Sequence, residues 1–536
     1  MVVVAGSLAL ASIYPVYFRT DDVHYLSWAS SHDDPLDSFR PSEGELFGVV
    51  RPVHLLAWWG LYRLFGLNAW GYQVFLGLAY GLSFVLLFMF VRRAISHGAA
   101  LLSLAAYAAM FISLTHVLFW FSDLTLELLF ANLSLYLLAG GVRGRPALVF
   151  WGLVSYVAAG LSKEPAIVVV PAVTATYVWV ERRRAGPRWA ALALLALGLL
   201  WAFASPYVRG RQGVPLDAGA GRVFQFIAVR WSYYGGVLMS GASLLAIAST
   251  VFLAVRSVGR PTEEVRRFIR QTGLPAVAAL AAVALAAANE EAAMAVLILA
   301  LGLVVARRLR SSPAAAWGAV PLLAVMTAEP SYSVYLTEAS AGLSVVAGAA
   351  LRRFARDMLV LLRGLPPLAK KVSTLVLIVA AASAVLASVP RLRSAEAAVR
   401  AVSETRLGFA EAVGYIGDNL AGEPGYLLVV AYDDVGIRST DALQAMPSVV
   451  RARRQKTMIR NEVEAFLKLL GAGALDVRHL DWYVEHPGAD PVYALTMNRE
   501  ETRHLESLPF DLELLHATSA GAGGARVYRI QGPQAG

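Results

Sequence analysis

Cysteine is absent from the 536 residues, which excludes a disulfide framework and any thiolate metal or redox chemistry. Charge is scarce too: Asp, Glu, Lys and Arg make up 16% of the chain, against about 25% in an ordinary soluble domain. No Walker loop, dinucleotide glycine fingerprint or HExxH signature occurs, so nucleotide binding has no recognisable home. What is present is apolar. Hydrophobic residues account for 57% of the chain and mean hydropathy is +0.56, so water is not its main solvent.

The formal net charge of +9 does not point to nucleic acid, because the Lys and Arg residues fall in short clusters between apolar runs instead of along one face. The N-terminal run MVVVAGSLALASIYPVYF lacks a basic leader and is expected to stay as a first membrane helix. About thirteen runs are long enough to cross a hydrocarbon core. They lie near 1–18, 69–91, 98–115, 124–141, 146–161, 165–180, 188–204, 233–255, 273–288, 291–306, 314–328, 332–350 and 372–389.

Alternate loops between these runs are basic, beginning with Arg92 and Arg93, then Arg143 and Arg145, then Arg182 to Arg188, and ending with Arg352 to Lys371. The intervening loops are acidic or nearly uncharged, apart from the longer, basic segment 205–232. By the positive-inside rule the N-terminus is cytoplasmic and the C-terminus outside. After Pro390 the composition becomes that of a soluble domain. A charged helical stretch from Ala395 to Asn419 precedes strand-like runs YLLVVAY, VYALTM and ARVYRI. The expected fold is therefore an all-α polytopic membrane bundle over 1–390 with a small extracytoplasmic α/β domain over 391–536, and a disordered tail after Ile530.

The first outer loop, about 19–53, is the most informative segment. Asp21 and Asp22 sit together at the predicted end of the first helix. Adjacent anions at the edge of a low-dielectric slab raise the proton affinity of at least one, which suits a general base; the alternative is a solvated loop cap. His24 extends this to Asp-Asp-x-His, but no supporting ligand spacing accompanies it, and no metal or other cofactor is predicted. Asp33, Asp34 and Asp37 form a reserve acidic cluster around Pro35. Arg51, before Pro52, offers a guanidinium for a lipid phosphate or a membrane anchor.

Asp123 stands at the mouth of the run at 124–141, as a ligand group, a helix cap or both. Lys163 and Glu164 are the only charges in a tight turn, where Pro165 is expected to open a helix. An ammonium beside free helix N–H groups suits a phosphate, while a snorkelling Lys paired with Glu164 is the plainer alternative. Asp433 and Asp434 form a weaker second pair after a strand.

Four segments in order carry a family resemblance: TDDVHYL; VVRPVHLLAWWGLYRLFGLNAWGYQVFLGLAYGL; WFSDLTLELLFANLSLYLL; and LSKEPAIVVVPA. The ordered set resembles the multi-helix glycosyltransferases of the GT-C class, in particular the family 39-like group around the dolichyl-phosphate-mannose protein mannosyltransferases. It covers roughly residues 10 to 180, and Asp22 stands where many relatives carry Glu.

The resemblance implies transfer of a sugar, with inversion, from a polyprenyl-phosphate donor to a hydroxyl on the outer face of a plasma membrane. Asp21 or Asp22 would be the base, with Lys163 and Arg51 at the leaving phosphate and Asp123, Glu164 and His24 in the substrate site. Protein, lipid and glycan acceptors all fit. A transporter or flippase is the rival reading, with Glu290 and Glu291 as its best support; a scaffold without activity is a third.

Overall fold

The computed structural model describes residues 18, 21–40, 45–46, 49–109, 123–141, 145–163, 166–181, 407–420, 422–430, 460, 463–470, 474–485, 491–496, 499–518 and 524–533, with single positions at 193 and 196 and between 341 and 371. Apart from positions 18, 193 and 196, the expected spans at 1–18, 188–204, 233–255, 273–288, 291–306, 314–328 and 372–389 lie outside the described residues, as do Glu164, Glu290, Glu291, Asp433 and Asp434.

The segment expected as the first outer loop, about 19–53, carries secondary structure of its own among its described residues. Helix α1 (Asp21–Ser31) buries Asp22, Tyr25, Leu26 and Ala29, the i, i+3, i+4, i+7 stripe of an amphipathic helix. A 3-10 turn (Pro35–Phe39) follows, capped by the Asp34 side chain, which accepts the Leu36 N–H at 2.9 Å. A two-residue antiparallel ladder, β1 (Glu45–Leu46) with β2 (Val49–Val50), leads into α2 (Pro52–Phe65). Pro52 occupies the first turn of α2, where its missing N–H is harmless. The helix stops at Gly66, whose φ of 56° is left-handed and whose N–H returns to the Tyr62 carbonyl at 2.7 Å.

Five expected spans coincide with helices: α3 (Ala69–Ala94), α4 (His97–Ala109), α5 (Asp123–Gly141), α6 (Pro146–Ser162) and α7 (Ala166–Glu181). Their starts are locally encoded. Asn68 accepts the Trp70 N–H at the head of α3, and Pro146 opens α6. Among the described residues α3 alone is long and apolar enough to cross a membrane, whereas α6 and the apolar part of α5 (Thr125–Gly141) are shorter. The expected span at 332–350 is described at three pairs of positions, all helical.

Antiparallel-type hairpin packing brings α5 and α6 into closest contact. A Cβ on Gly152 would lie 2.8 Å from Cγ of Leu138, so a larger residue there would force the two helices apart. One core joins α3 to α7 through Leu87, Leu135, Tyr156 and Val170. Outside it, Leu78, Leu82, Leu101, Phe150, Trp151 and Val154 are exposed. An apolar exterior on an apolar core is what a lipid solvent permits and water does not.

The C-terminal segment folds as α/β. Helix α8 (407–420), β3 (Gly425–Val430), α9 (463–469), β4 (Leu475–His479), α10 (Leu480–Glu485), β5 (Val492–Thr496), α11 (Arg499–Glu506), β6 (Phe510–Ala517) and β7 (Arg526–Pro533) follow in order. The sheet runs β4-β3-β5-β7-β6, with β3 parallel to both neighbours and β7 antiparallel to both of its own. The strand β7 continues to Pro533, so the tail expected to be disordered after Ile530 is paired there instead.

Alternation divides the strands between two cores. Leu428, Val430, Val492, Ala494, Tyr528 and Ile530 pack on the α10 and α11 side. Leu427, Val429, Tyr493, Leu495 and Val527 face the other way, into a core shared with α8 and α9. That second core is continuous with Phe18, Tyr25, Leu26, Leu55, Trp58 and Tyr72. The first-loop helices and the C-terminal domain therefore bury one common set of side chains.

Candidate active site

Asp22 lies in the first turn of α1 and is 3% exposed. Acids buried this deeply are rare and serve a structural or chemical use. The backbone of Asp21 is helical, but its side chain lies outside the described residues. His24, between the buried Val23 and Tyr25, is half-buried.

Around the first turns of α1 and α2 stands an aromatic cluster. Tyr25 meets the His54 ring edge-on at 4.6 Å and stacks on Trp58 at 5.6 Å, while Phe18 and Tyr72 meet edge-on at 4.9 Å. Trp58 donates its indole N–H to Nε2 of His54 at 2.9 Å, which leaves the ring proton on Nδ1. Arg51, half-buried, is the residue immediately before α2.

The far end of α1 is tied to α2 by polar bonds. Trp59 and Arg63 both donate to the His32 carbonyl, at 3.0 and 3.1 Å, and the Arg63 guanidinium also pairs with Asp33. Of the reserve cluster, Asp34 caps the 3-10 turn and Asp37 pairs with Arg40 at 2.7 Å. All three carboxylates are thus engaged in holding the loop.

Helix α2 packs against α6, and α6 ends at Lys163. Lys163 is extended, at φ −161° and ψ 147°, closes the helix by an N–H bond to Ala159, and is 3% exposed. An ammonium stem this buried has exchanged water for protein surroundings, which strengthens its attraction for an anion. Asp123 is the first residue of α5, and its side chain lies outside the described residues. Among the described residues no three His, Asp or Glu side chains gather as a metal site.

One residue escaped the sequence reading. Glu127 is wholly buried, and its Oε1 accepts the N–H of Ala166, the first residue of α7, at 2.7 Å. A signal existed: Glu127 is four residues beyond Asp123, and hence on the same helix face, as a lone acid in an apolar run. Tyr156 adds a bond to the Ile167 carbonyl at 2.9 Å, so the turn after Lys163 is held from two helices.

The described residues thus hold a buried carboxyl at the start of α1 and a buried ammonium at the end of α6, with α1 and α2 sharing a core with the α/β domain. No family model matches the chain, and no curated protein matches it. Among solved structures, it is similar to ArnT from Cupriavidus metallidurans bound to undecaprenyl phosphate, at 13% identity and a TM-score of 0.40 over 98% of this chain and 97% of that one. To the same protein in the apo state the values are 14% and 0.44 over the same shares.

Proposed function

We propose that this chain is a membrane glycosyltransferase that moves a sugar from a polyprenyl-phosphate donor to an acceptor hydroxyl on the outer face of a plasma membrane, with inversion. The observation that carries the reading is the burial of Asp22 and Lys163, each 3% exposed, at the ends of helices in a mostly apolar chain. The order of the four sequence segments supports it, and a mannosyl donor is its finer form. The apolar exterior of the helical bundle supports embedding in lipid.

In this mechanism Asp22, or its neighbour Asp21, takes the proton from the acceptor hydroxyl. The freed oxygen attacks the anomeric carbon, and the bond from that carbon to the donor phosphate breaks. The electron pair leaves with the lipid phosphate, whose growing charge Lys163 and Arg51 stabilise. Asp123, Glu164 and His24 complete the substrate site. The C-terminal α/β domain, outside the membrane with the N-terminus cytoplasmic, helps present a protein, lipid or glycan acceptor.

Transport of a lipid-linked or small solute is the second reading, because Glu127 is an acid wholly buried within a helical bundle. Its place in the second turn of α5, not at the helix centre, favours the enzyme. Membranes carrying the chain are to be given a panel of labelled polyprenyl-phosphate sugars. Release of lipid phosphate with sugar on an acceptor supports the enzyme; movement without bond cleavage assigns transport and defeats the proposal.

A further inference from the structure

We infer that Glu127 is a positioning residue for Lys163, acting through the backbone of the turn between α6 and α7; the inference rests on the reading of Lys163 as a donor-phosphate group. Three observations carry it. Glu127 is wholly buried in the second turn of α5, 39 residues before its partner in sequence. Its Oε1 accepts the Ala166 N–H at 2.7 Å, at the first residue of α7. Ala166 follows Lys163 by three residues, so the anchored amide and the buried ammonium are within about 11 Å of chain.

Lys163 closes α6 through Ala159 on one side, and Glu127 holds the start of α7 on the other. Their shared result is a fixed Cα for Lys163, and with it a fixed reach for its ammonium. Misplacing a binding group by about 1 Å costs up to about 100-fold in rate.

The test uses two conservative variants of the full chain, purified in lipid nanodiscs. Glu127→Gln keeps a side-chain oxygen at the same reach, whereas Glu127→Asp keeps the charge but shortens the reach by one methylene. Amide exchange of the peptide spanning 161–168 is to be read beside KM and kcat with polyprenyl-phosphate mannose. E127D is expected to exchange faster in that peptide and to raise the donor KM about 10-fold to 100-fold, with E127Q near wild type. A loss of folded protein alone would lower kcat and leave KM unmoved.

If E127Q is the more damaged of the two, charge and not the bond is what matters, and the inference is overturned. It is equally overturned if both variants match wild type. A wild-type chain that transfers no sugar defeats the enzyme reading, and the exchange data then decide the anchoring by themselves.

Discussion

Trp58 and His54, one helical turn apart on α2, share a buried hydrogen bond of 2.9 Å from the indole N–H to the imidazole Nε2. The bond locks the face of α2 on which Tyr25 of α1 rests. Trp58→Phe removes the donor while keeping an aromatic ring. Loss of a buried partner of this kind costs about 1–3 kcal/mol, so the thermal midpoint of the purified chain should fall. Proteolysis of α1 should quicken in parallel; unchanged resistance in the 21–40 segment would separate the bond from the docking of α1.

Asp22 and Asp21 divide into testable roles. A positioned general base contributes about 100-fold to 10,000-fold in rate, so the Asp→Asn variant at the true base should lose turnover by that factor while its expression and melting stay near wild type. The buried member, Asp22, is the expected one. Full transfer by both D21N and D22N would remove the base from this loop.

The neighbouring acidic cluster should behave differently. Asp33 is engaged by Arg63, Asp34 caps the 3-10 turn and Asp37 pairs with Arg40. Asp34→Ala is expected to cost about 0.5–2 kcal/mol as a lost cap, and Asp33→Asn or Asp37→Asn less, since exposed pairs contribute about 0–1 kcal/mol. Turnover per folded molecule should change less than threefold in each; a larger loss would return that carboxylate to the chemistry.

Acid and alkali should act on opposite groups of the C-terminal domain. The hydrogen bond from Lys468 holds the Glu464 carboxyl below its ordinary value of 4.5, so its contribution is present above that value and is lost as pH falls through the lowered one. The pair is largely exposed, and Glu464→Gln should shift the acid limb of a melting curve only slightly. Burial raises the Tyr528 hydroxyl above 10.0, and the acceptor Glu506 adds to this against the opposing Arg526. Its contribution is full below 10.0 and fades as pH rises through the raised value, so Tyr528→Phe should flatten the alkaline limb. Melting curves across the pH range read both.

Removing 391–536 is expected to do more than change acceptor use. The domain shares one core with Leu26, Leu55, Trp58 and Tyr72, and its loss uncovers them. At about 25 cal/mol per Å² of uncovered apolar surface, that should loosen α1 and α2. Hydrogen exchange in 21–65 of the truncated chain measures this; protection equal to that of the full chain would show that the loop helices stand alone.

Much of this architecture is local and was readable as such. The apolar runs at 69–91, 124–141, 146–161 and 165–180 match helices within a few residues, because their bounds are set by nearby groups such as Asn68 and Pro146. The strands at YLLVVAY, VYALTM and ARVYRI were visible for the same reason, each being a β-rich run between breakers. Asp22 and Lys163 could be singled out because charge is rare in an apolar chain.

Tertiary packing decided the rest. Nothing in the order of the residues fixes β5 beside β3, or pairs Glu127 with an amide 39 positions away. Periodicity tells which face of α1 or α2 is apolar but not what covers it, and the partners prove to be a sheet more than 300 residues further along the chain. Burial and long-range hydrogen bonding arise only when distant segments meet. For that reason the sequence alone determined the lipid-like composition and the candidate charges, while the folded chain decided which of those charges are enclosed and what holds them.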